Sequence, residues 1–355
     1  MSKLLVIIGV SGNQGSSVAE ALLVDLSWKS LQEVFKDANL VFGNTAFDAA
    51  PIIFPTEESV AKLKPGQTAG EFALDKELQQ GKNIADAVAS MGDSSELFMW
   101  SSLSDSKKWS GGKYPGIYHF DSKSVVVDYI KEEYPDLTAK MSLLQLGWFV
   151  TNWKLGRVAV PWEKQTDGSM ILRIPGSGDW PWPIPIVQPA DTGEFVKALI
   201  KLPPGTELLA YGELMTMTEY MNLWSKATGV RATLVCATVD DHDKLLPGWG
   251  REIGETYAYM QEFGYWGGKN VDNAFQRFGP RSQHYKKMLM LYLTSKLRDA
   301  VCPDEVGEAQ LGLGERIAAV GDLELPLKLG AGEDYLPDDG GEWDDFKEFR
   351  RWFLE

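Results

Sequence analysis

The apolar run Leu4-Leu5-Val6-Ile7-Ile8 leads straight into a glycine-spaced turn, Gly9-Val10-Ser11-Gly12-Asn13-Gln14-Gly15. An unbroken β-branched and leucine run with no polar alternation reads as a strand buried on both faces, which calls for a parallel sheet. Behind the turn, Val18, Ala21, Leu22 and Leu26 recur at helical spacing, so the order is strand, glycine turn, helix. Glycines let the backbone come close to a pyrophosphate, while free N–H groups and the positive end of the helix attract it. The G-x-x-G-x-x-G spacing is a variant of the dinucleotide fingerprint and gains weight from its strand-to-helix setting. A turn that serves only packing is the competing reading.

Further strands are expected over residues 39–42, 97–100 and 142–146, each a short apolar run closed by small or polar residues. Helical periodicity fills the intervals at 75–89 and 122–133. This alternation predicts an α/β protein with a shortened Rossmann-like, doubly wound parallel sheet over residues 1–154. From 155 to 270 the texture shifts to that of a smaller α+β substrate lobe. It contains a hairpin-like stretch at 169–174, a Pro/Trp-rich segment at 176–185 and a helix at 191–200. Residues 271–355 form an atypical C-terminal extension with a helical stretch at 284–298 and an acidic one at 330–345. Near its end Trp343, Phe346, Phe349, Trp352 and Phe353 sit close to helical spacing, which favours an amphipathic helix docked on the body over a partner-binding peptide.

With 44% apolar residues in 355, the chain has material for a large core. Its 35 Lys and Arg against 50 Asp and Glu give a charge of −15, and so acidic a surface repels phosphate backbones and anionic lipid headgroups. Direct nucleic-acid binding is therefore disfavoured. No apolar run reaches the roughly 20 residues that cross a bilayer, so no membrane association is expected. Cys236 and Cys302 have no paired spacing, which indicates neither a disulfide framework nor a zinc cluster. A reducing compartment fits this usage, the cytoplasm first and the nucleus second.

The residues that can carry chemistry fall where strands end. Hydride-transferring short-chain dehydrogenases place Tyr and Lys four residues apart at the start of a helix, so that the lysine lowers the phenol pKa and holds a ribose. Here Tyr118-His119-Phe120-Asp121-Ser122-Lys123 puts His119 in the tyrosine position. A histidine can donate a proton near neutrality, so His119 and the neighbouring Tyr118 are the candidate acids. Lys123 is the candidate ribose ligand, with a solvated helix-start lysine as the plain alternative. Ser101 and Ser102 follow the strand at 97–100, where hydroxyls can orient a substrate carbonyl or simply close a turn. Gly147-Trp148-Phe149, with Asn152 beyond, stands where it can cover a nicotinamide ring, or pack as ordinary core aromatics.

These segments together resemble the NmrA-like family of atypical short-chain dehydrogenases. Similar stretches are 9–15, 42–47 (Phe42-Gly43-Asn44-Thr45-Ala46-Phe47), 79–87, 118–123 and 203–212, with 223–229 and 262–265 later, so the resemblance covers about residues 3–270. It implies a nicotinamide dinucleotide, NADP with NAD as the second choice. Gly9, Gly12, Asn13, Gln14 and Gly15 would then lie on the pyrophosphate. Asn44 and Thr45 would lie along the adenosine half and Lys123 and the Gly147-Trp148-Phe149 turn near the nicotinamide half, with Ser11, Ser101 and Asn152 as further candidate cofactor contacts. The family has His-Phe-Asp-Ser-Lys in place of Tyr-x-x-x-Lys, and its members include regulators as well as reductases.

One interval departs from the family. Residues 16–39, 24 in number, separate Gly15 from the next strand, too few for the second and third strands of a full Rossmann half and for the basic residue that meets a 2′-phosphate. The first strand should then stand at a sheet edge. Three functions follow from this reading: a dinucleotide-sensing regulator with a protein partner, an NADPH-dependent reductase of a small carbonyl or enone, and a pseudo-enzyme acting only through protein contacts.

Overall fold

The computed structural model describes residues 5–7, 38–150, 152, 162–176, 182–187, 191–268 and 272–273. Residues 9–15, the helix expected at 284–298 and the aromatic stripe of the C-terminal extension lie outside the described residues. In chain order the first elements are β1 (Leu5–Ile7), β2 (Leu40–Gly43), α1 (Ala50–Ile53), α2 (Glu57–Ala61), α3 (Ala69–Ala89), β3 (Leu97–Ser102), α4 (Ser106–Trp109), α5 (Tyr118–Glu133), α6 (Pro135–Lys140) and β4 (Met141–Leu146). There follow β5 (Trp148–Phe149), β6 (Trp162–Lys164), β7 (Met170–Pro175), β8 (Ile184–Val187), α7 (Thr192–Ile200), β9 (Glu207–Ala210), β10 (Glu213–Met215), α8 (Met217–Thr228), β11 (Ala232–Ala237), α9 (Val239–Leu245), α10 (Trp249–Phe263) and β12 (Asp272–Asn273).

The main sheet is parallel throughout, in the order β1-β2-β3-β4-β9-β12. Every residue of β2 and β3 is buried, as unbroken apolar runs covered on both faces require. One face carries α3 and α5, whose Ala85, Val88, Val126 and Ile130 close on Val41, Phe98 and Trp100. On the other, Phe195, Val196 and Leu199 of α7 close on Leu40, Phe42, Met99 and Leu144. The two helices of the first face cross tightly at Gly81, where an added Cβ would lie 2.3 Å from Cγ2 of Val126. Among the described strands β1 stands at one edge, with none beyond it where a full Rossmann sheet continues. This is the shortened sheet that the brief interval before β2 implies.

Two small sheets, β10-β8-β5 and β11-β7-β6, make up the rest. The stretch read as a hairpin is β7, antiparallel to β6. Between its excursions the chain returns to the main sheet through α7 and β9, which pairs with β4. Two helices begin earlier than their periodicity implies. α3 starts at Ala69 because Thr68 and Glu71 form a reciprocal capping box, and α5 starts at Tyr118 rather than at Ser122. Ser101 and Ser102, expected just after a strand, are its last two residues and are buried. Among the described residues no helix is long and apolar enough to cross a membrane.

Candidate functional site

The carboxyl ends of β2, β3 and β4 deliver their following residues to one edge of the sheet. Asn44 and Thr45 continue from β2 and are buried, and Ser101 and Ser102 end β3. At the end of β4 the chain turns through Gly147 into Trp148 and Phe149. A Cβ on Gly147 would sit 2.4 Å from the carbonyl oxygen of Pro185, so only glycine lets this turn pass β8 so closely. The hydroxyl of Tyr265 ties the edge down by donating to the carbonyl of Leu146 at 3.0 Å.

Two buried carboxylates organise the site, and neither was singled out from the sequence. Glu77, in the middle of α3 and 1% exposed, accepts a hydrogen bond from Thr45 Oγ1 at 2.7 Å. The same carboxylate takes the hydroxyl of Ser122 and forms an ion pair with Lys123, itself buried. Thr45, expected along the adenosine half of a dinucleotide, and Lys123, expected at its nicotinamide half, are thus joined through one side chain. The signal for Glu77 lies in helical spacing: Ala73, Glu77, Gly81, Ile84 and Val88 share the buried stripe of α3, and a lone acid there needs partners.

The second carboxylate, Glu252 in the first turn of α10, is also 1% exposed. Its Oε1 accepts the backbone N–H of His119 at 3.0 Å and lies 2.7 Å from His119 Nδ1. Its neighbour Glu255 accepts the backbone N–H of Gly116 at 2.8 Å, and burial raises the Glu255 carboxyl above the usual carboxylate range. These acids serve the N-terminus of α5, which has no side-chain cap from its own Ile117. Glu252 falls with Trp249, Ile253, Thr256 and Met260 on the buried face of its helix, again a charged member of an apolar stripe.

Beside His119 opens a cavity of about 360 Å³, within the size range of small-ligand sites. It gathers His119, Gly147, Trp148, Phe149 and Asn152 from the expected site residues and adds Phe47, Trp249, Tyr257 and Tyr265. The ring of Phe47 stacks on Trp249 with centroids 6.2 Å apart and meets His119 edge-on at 6.1 Å. Tyr118 does not line this cavity. Its ring lies against Gly70, and its phenol is pushed up by burial, against the lowering effect of a hydrogen bond with Thr68. Lys123 and Ser101 are likewise absent from the lining. Of the expected residues, His119, Gly147, Trp148, Phe149 and Asn152 therefore gather at the cavity, while Thr45 and Lys123 meet in an ion-paired cluster around Glu77.

A further buried acid, Asp121, lies between His119 and Lys123 along α5. It accepts from Ser106 Oγ at 2.7 Å and from the amide of Lys107, and burial raises its carboxyl to about 6.

The family model described as the NmrA-like family matches residues 25–280. A crystal structure of NmrA, a negative transcriptional regulator, in complex with NAD is 17% identical, with a TM-score of 0.54, covering 84% of this chain and 96% of that one. Leucoanthocyanidin reductase from Vitis vinifera in ternary complex is 11% identical, with a TM-score of 0.54, covering 82% of this chain and 99% of that one. A nucleoside-diphosphate-sugar epimerase from Staphylococcus aureus is 13% identical, with a TM-score of 0.56 and coverage of 82% and 99%. At these identities the likeness establishes a shared fold.

Proposed function

The chain belongs to the NmrA-like family, and from that premise we propose that it binds a nicotinamide dinucleotide along the carboxyl edge of its main sheet and works as a ligand-responsive regulator. The observation that carries this reading is the ion pair between Lys123 and Glu77. In the Tyr-Lys arrangement the lysine must act on a phenol and a ribose. Here its ammonium is held by a buried carboxylate, and the tyrosine position is occupied by His119. Binding that shifts a conformational balance needs no hydride transfer.

The residues fit such a ligand in part. Asn44 and Thr45 offer an amide and a hydroxyl beyond β2, and the aromatic cavity beginning at Gly147 has the size of a nicotinamide end or a small ligand. Gly9, Ser11, Gly12, Asn13, Gln14 and Gly15 would hold the pyrophosphate, and Asn152 the carboxamide side. NADP is our first choice and NAD the second, and the partner of such a regulator would be another protein. Titration calorimetry with NADP(H) and NAD(H) tests this: heat with one of them, and no oxidation of the reduced form in the presence of quinones or enones, is the expected result. Absence of heat with every nucleotide overturns it and leaves only protein contacts.

One observation favours a second reading, reduction of a small carbonyl or enone. His119 lines the cavity with a carboxylate at its back, the arrangement of a proton donor. A bound reduced dinucleotide would supply the hydride in that case, and turnover lost in His119→Ala would decide for it.

A further inference from the structure

The contact between α10 and the start of α5 is a two-point attachment. One oxygen of Glu252 meets both the main-chain N–H and the ring Nδ1 of a single residue, His119, at 3.0 and 2.7 Å. Holding a residue by backbone and side chain together fixes where its ring sits and how it turns. The geometry also decides which ring nitrogen carries the proton. A carboxylate oxygen that already accepts an N–H is an acceptor, so Nδ1 at this distance is the donor. The other oxygen of Glu252, Oε2, is buried and has no hydrogen-bond partner among the described residues. The side chain is thus spent on His119 through one oxygen alone.

The ring itself packs edge-on against Phe120, with centroids 4.8 Å apart, and against Phe47, and it lines the cavity. With Nδ1 committed to Glu252, Nε2 is the nitrogen left for a ligand. We propose that Glu252 is a positioning residue that locks His119 in its Nδ1–H tautomer, so that Nε2 meets the cavity as a hydrogen-bond acceptor and selects aromatic ligands bearing a hydroxyl donor.

Aromatic character follows from the walls: Phe47, Trp148, Phe149, Trp249 and Tyr265 offer faces and edges to a flat apolar body. The hydroxyl follows from the tautomer. A ligand whose oxygen is methylated keeps the aromatic body, gains one methyl group and leaves Nε2 without a donor, and an unmade hydrogen bond weakens binding by about tenfold. The inference rests on the proposed function only in taking this cavity as a ligand site; the position of the proton is independent of any ligand.

The chain has three histidines, His119, His242 and His284, so the full-length protein with isotope-labelled histidine gives few ring signals. His119→Ala identifies the pair that belongs to residue 119. Long-range proton–nitrogen correlation, recorded where the nitrogen shifts themselves report a neutral ring, should place the proton on Nδ1 in the unaltered chain. It should stay there in Glu252→Gln, whose amide oxygen still accepts, and leave Nδ1 in Glu252→Ala. A proton on Nε2 in the unaltered chain overturns the tautomer.

Ligand-observed titrations with p-ethylphenol and p-ethylanisole then test the selection. The phenol should bind about tenfold tighter to the unaltered chain and to Glu252→Gln, and the difference should vanish in His119→Ala. Equal affinities, or no binding of either probe, overturns the selection even where Glu252→Ala fails to fold. Calorimetry with dinucleotides stands apart from both readouts. A chain that binds none of them yet keeps the tautomer and the phenol preference would sink the proposed function and spare this inference.

Discussion

Glu77 and Glu252 are equally buried acids on the apolar stripes of two helices, and they are used in opposite ways. Glu77 is saturated: a hydroxyl from the end of β2, a hydroxyl from α5 and the ammonium of Lys123 converge on it. It joins three elements, β2, α3 and α5, and its charge is cancelled on the spot. Glu252 leaves one oxygen without a partner and pairs with no lysine or arginine among the described residues. Saturation is what a structural clamp needs, because every unmet polar group in a low-dielectric interior costs stability. A half-used acid whose one partner lines a cavity is kept for what it does to that partner.

This contrast breaks most readily at Glu77. Glu77→Ala should lower the unfolding free energy by about 3–5 kcal/mol, since it strands the buried Lys123 without a counter-charge. Glu77→Met combined with Lys123→Met should recover most of that loss in urea unfolding, because two apolar side chains remove both charges together. A single substitution that costs less than about 1 kcal/mol would mean the pair is open to water, and the clamp would be refuted.

Asp121 sharpens the comparison as an acid with hydroxyl and amide partners. Its carboxyl is raised by burial from 3.8 to about 6, so the folded chain holds a proton that the unfolded chain has already lost. This acid therefore favours folding at low pH. Its contribution falls as the pH climbs through the window from 3.8 to about 6, by about 3 kcal/mol. Asp121→Asn should lack that fall, so the stability difference between variant and unaltered chain should grow in the variant's favour from pH 4 to pH 7. Parallel stability curves over that range would contradict the burial argument. A smaller effect is expected at Thr45. Thr45→Val keeps the shape but removes one of the three donors on Glu77, for a cost of about 2 kcal/mol in the same unfolding assay.

Much of the scaffold was legible because its signals are local. Unbroken apolar runs marked β2, β3 and β4, and the short interval before β2 placed β1 at a sheet edge among the described strands. The turn at Gly147 and the histidine at 119 pointed to the cavity for the same reason. The two acids were not legible as partners, since 46 residues separate Lys123 from Glu77 and 133 separate His119 from Glu252. Periodicity shows only that an acid interrupts a buried stripe; which donor meets it depends on how α3 and α10 are laid against α5. Tyr118 shows the reverse failure. A motif placed it beside the candidate acid, but adjacent positions on a helix face apart, and its ring turned to Gly70.

The smallest expected effect on stability is the sharpest test of the contrast. Glu252→Gln keeps an oxygen where Oε1 stands, able to accept both the amide and Nδ1 of His119, and replaces a buried charge by a neutral group. A weaker hydrogen bond to the ring and the relief from burying a carboxylate oppose each other, so the unfolding free energy should move by less than about 1 kcal/mol. Glu77→Gln has no such offset, because it removes the charge and leaves the ammonium behind. If the two glutamine variants lose stability equally, Glu252 is a clamp like Glu77, and its half-used geometry carries no message about the cavity.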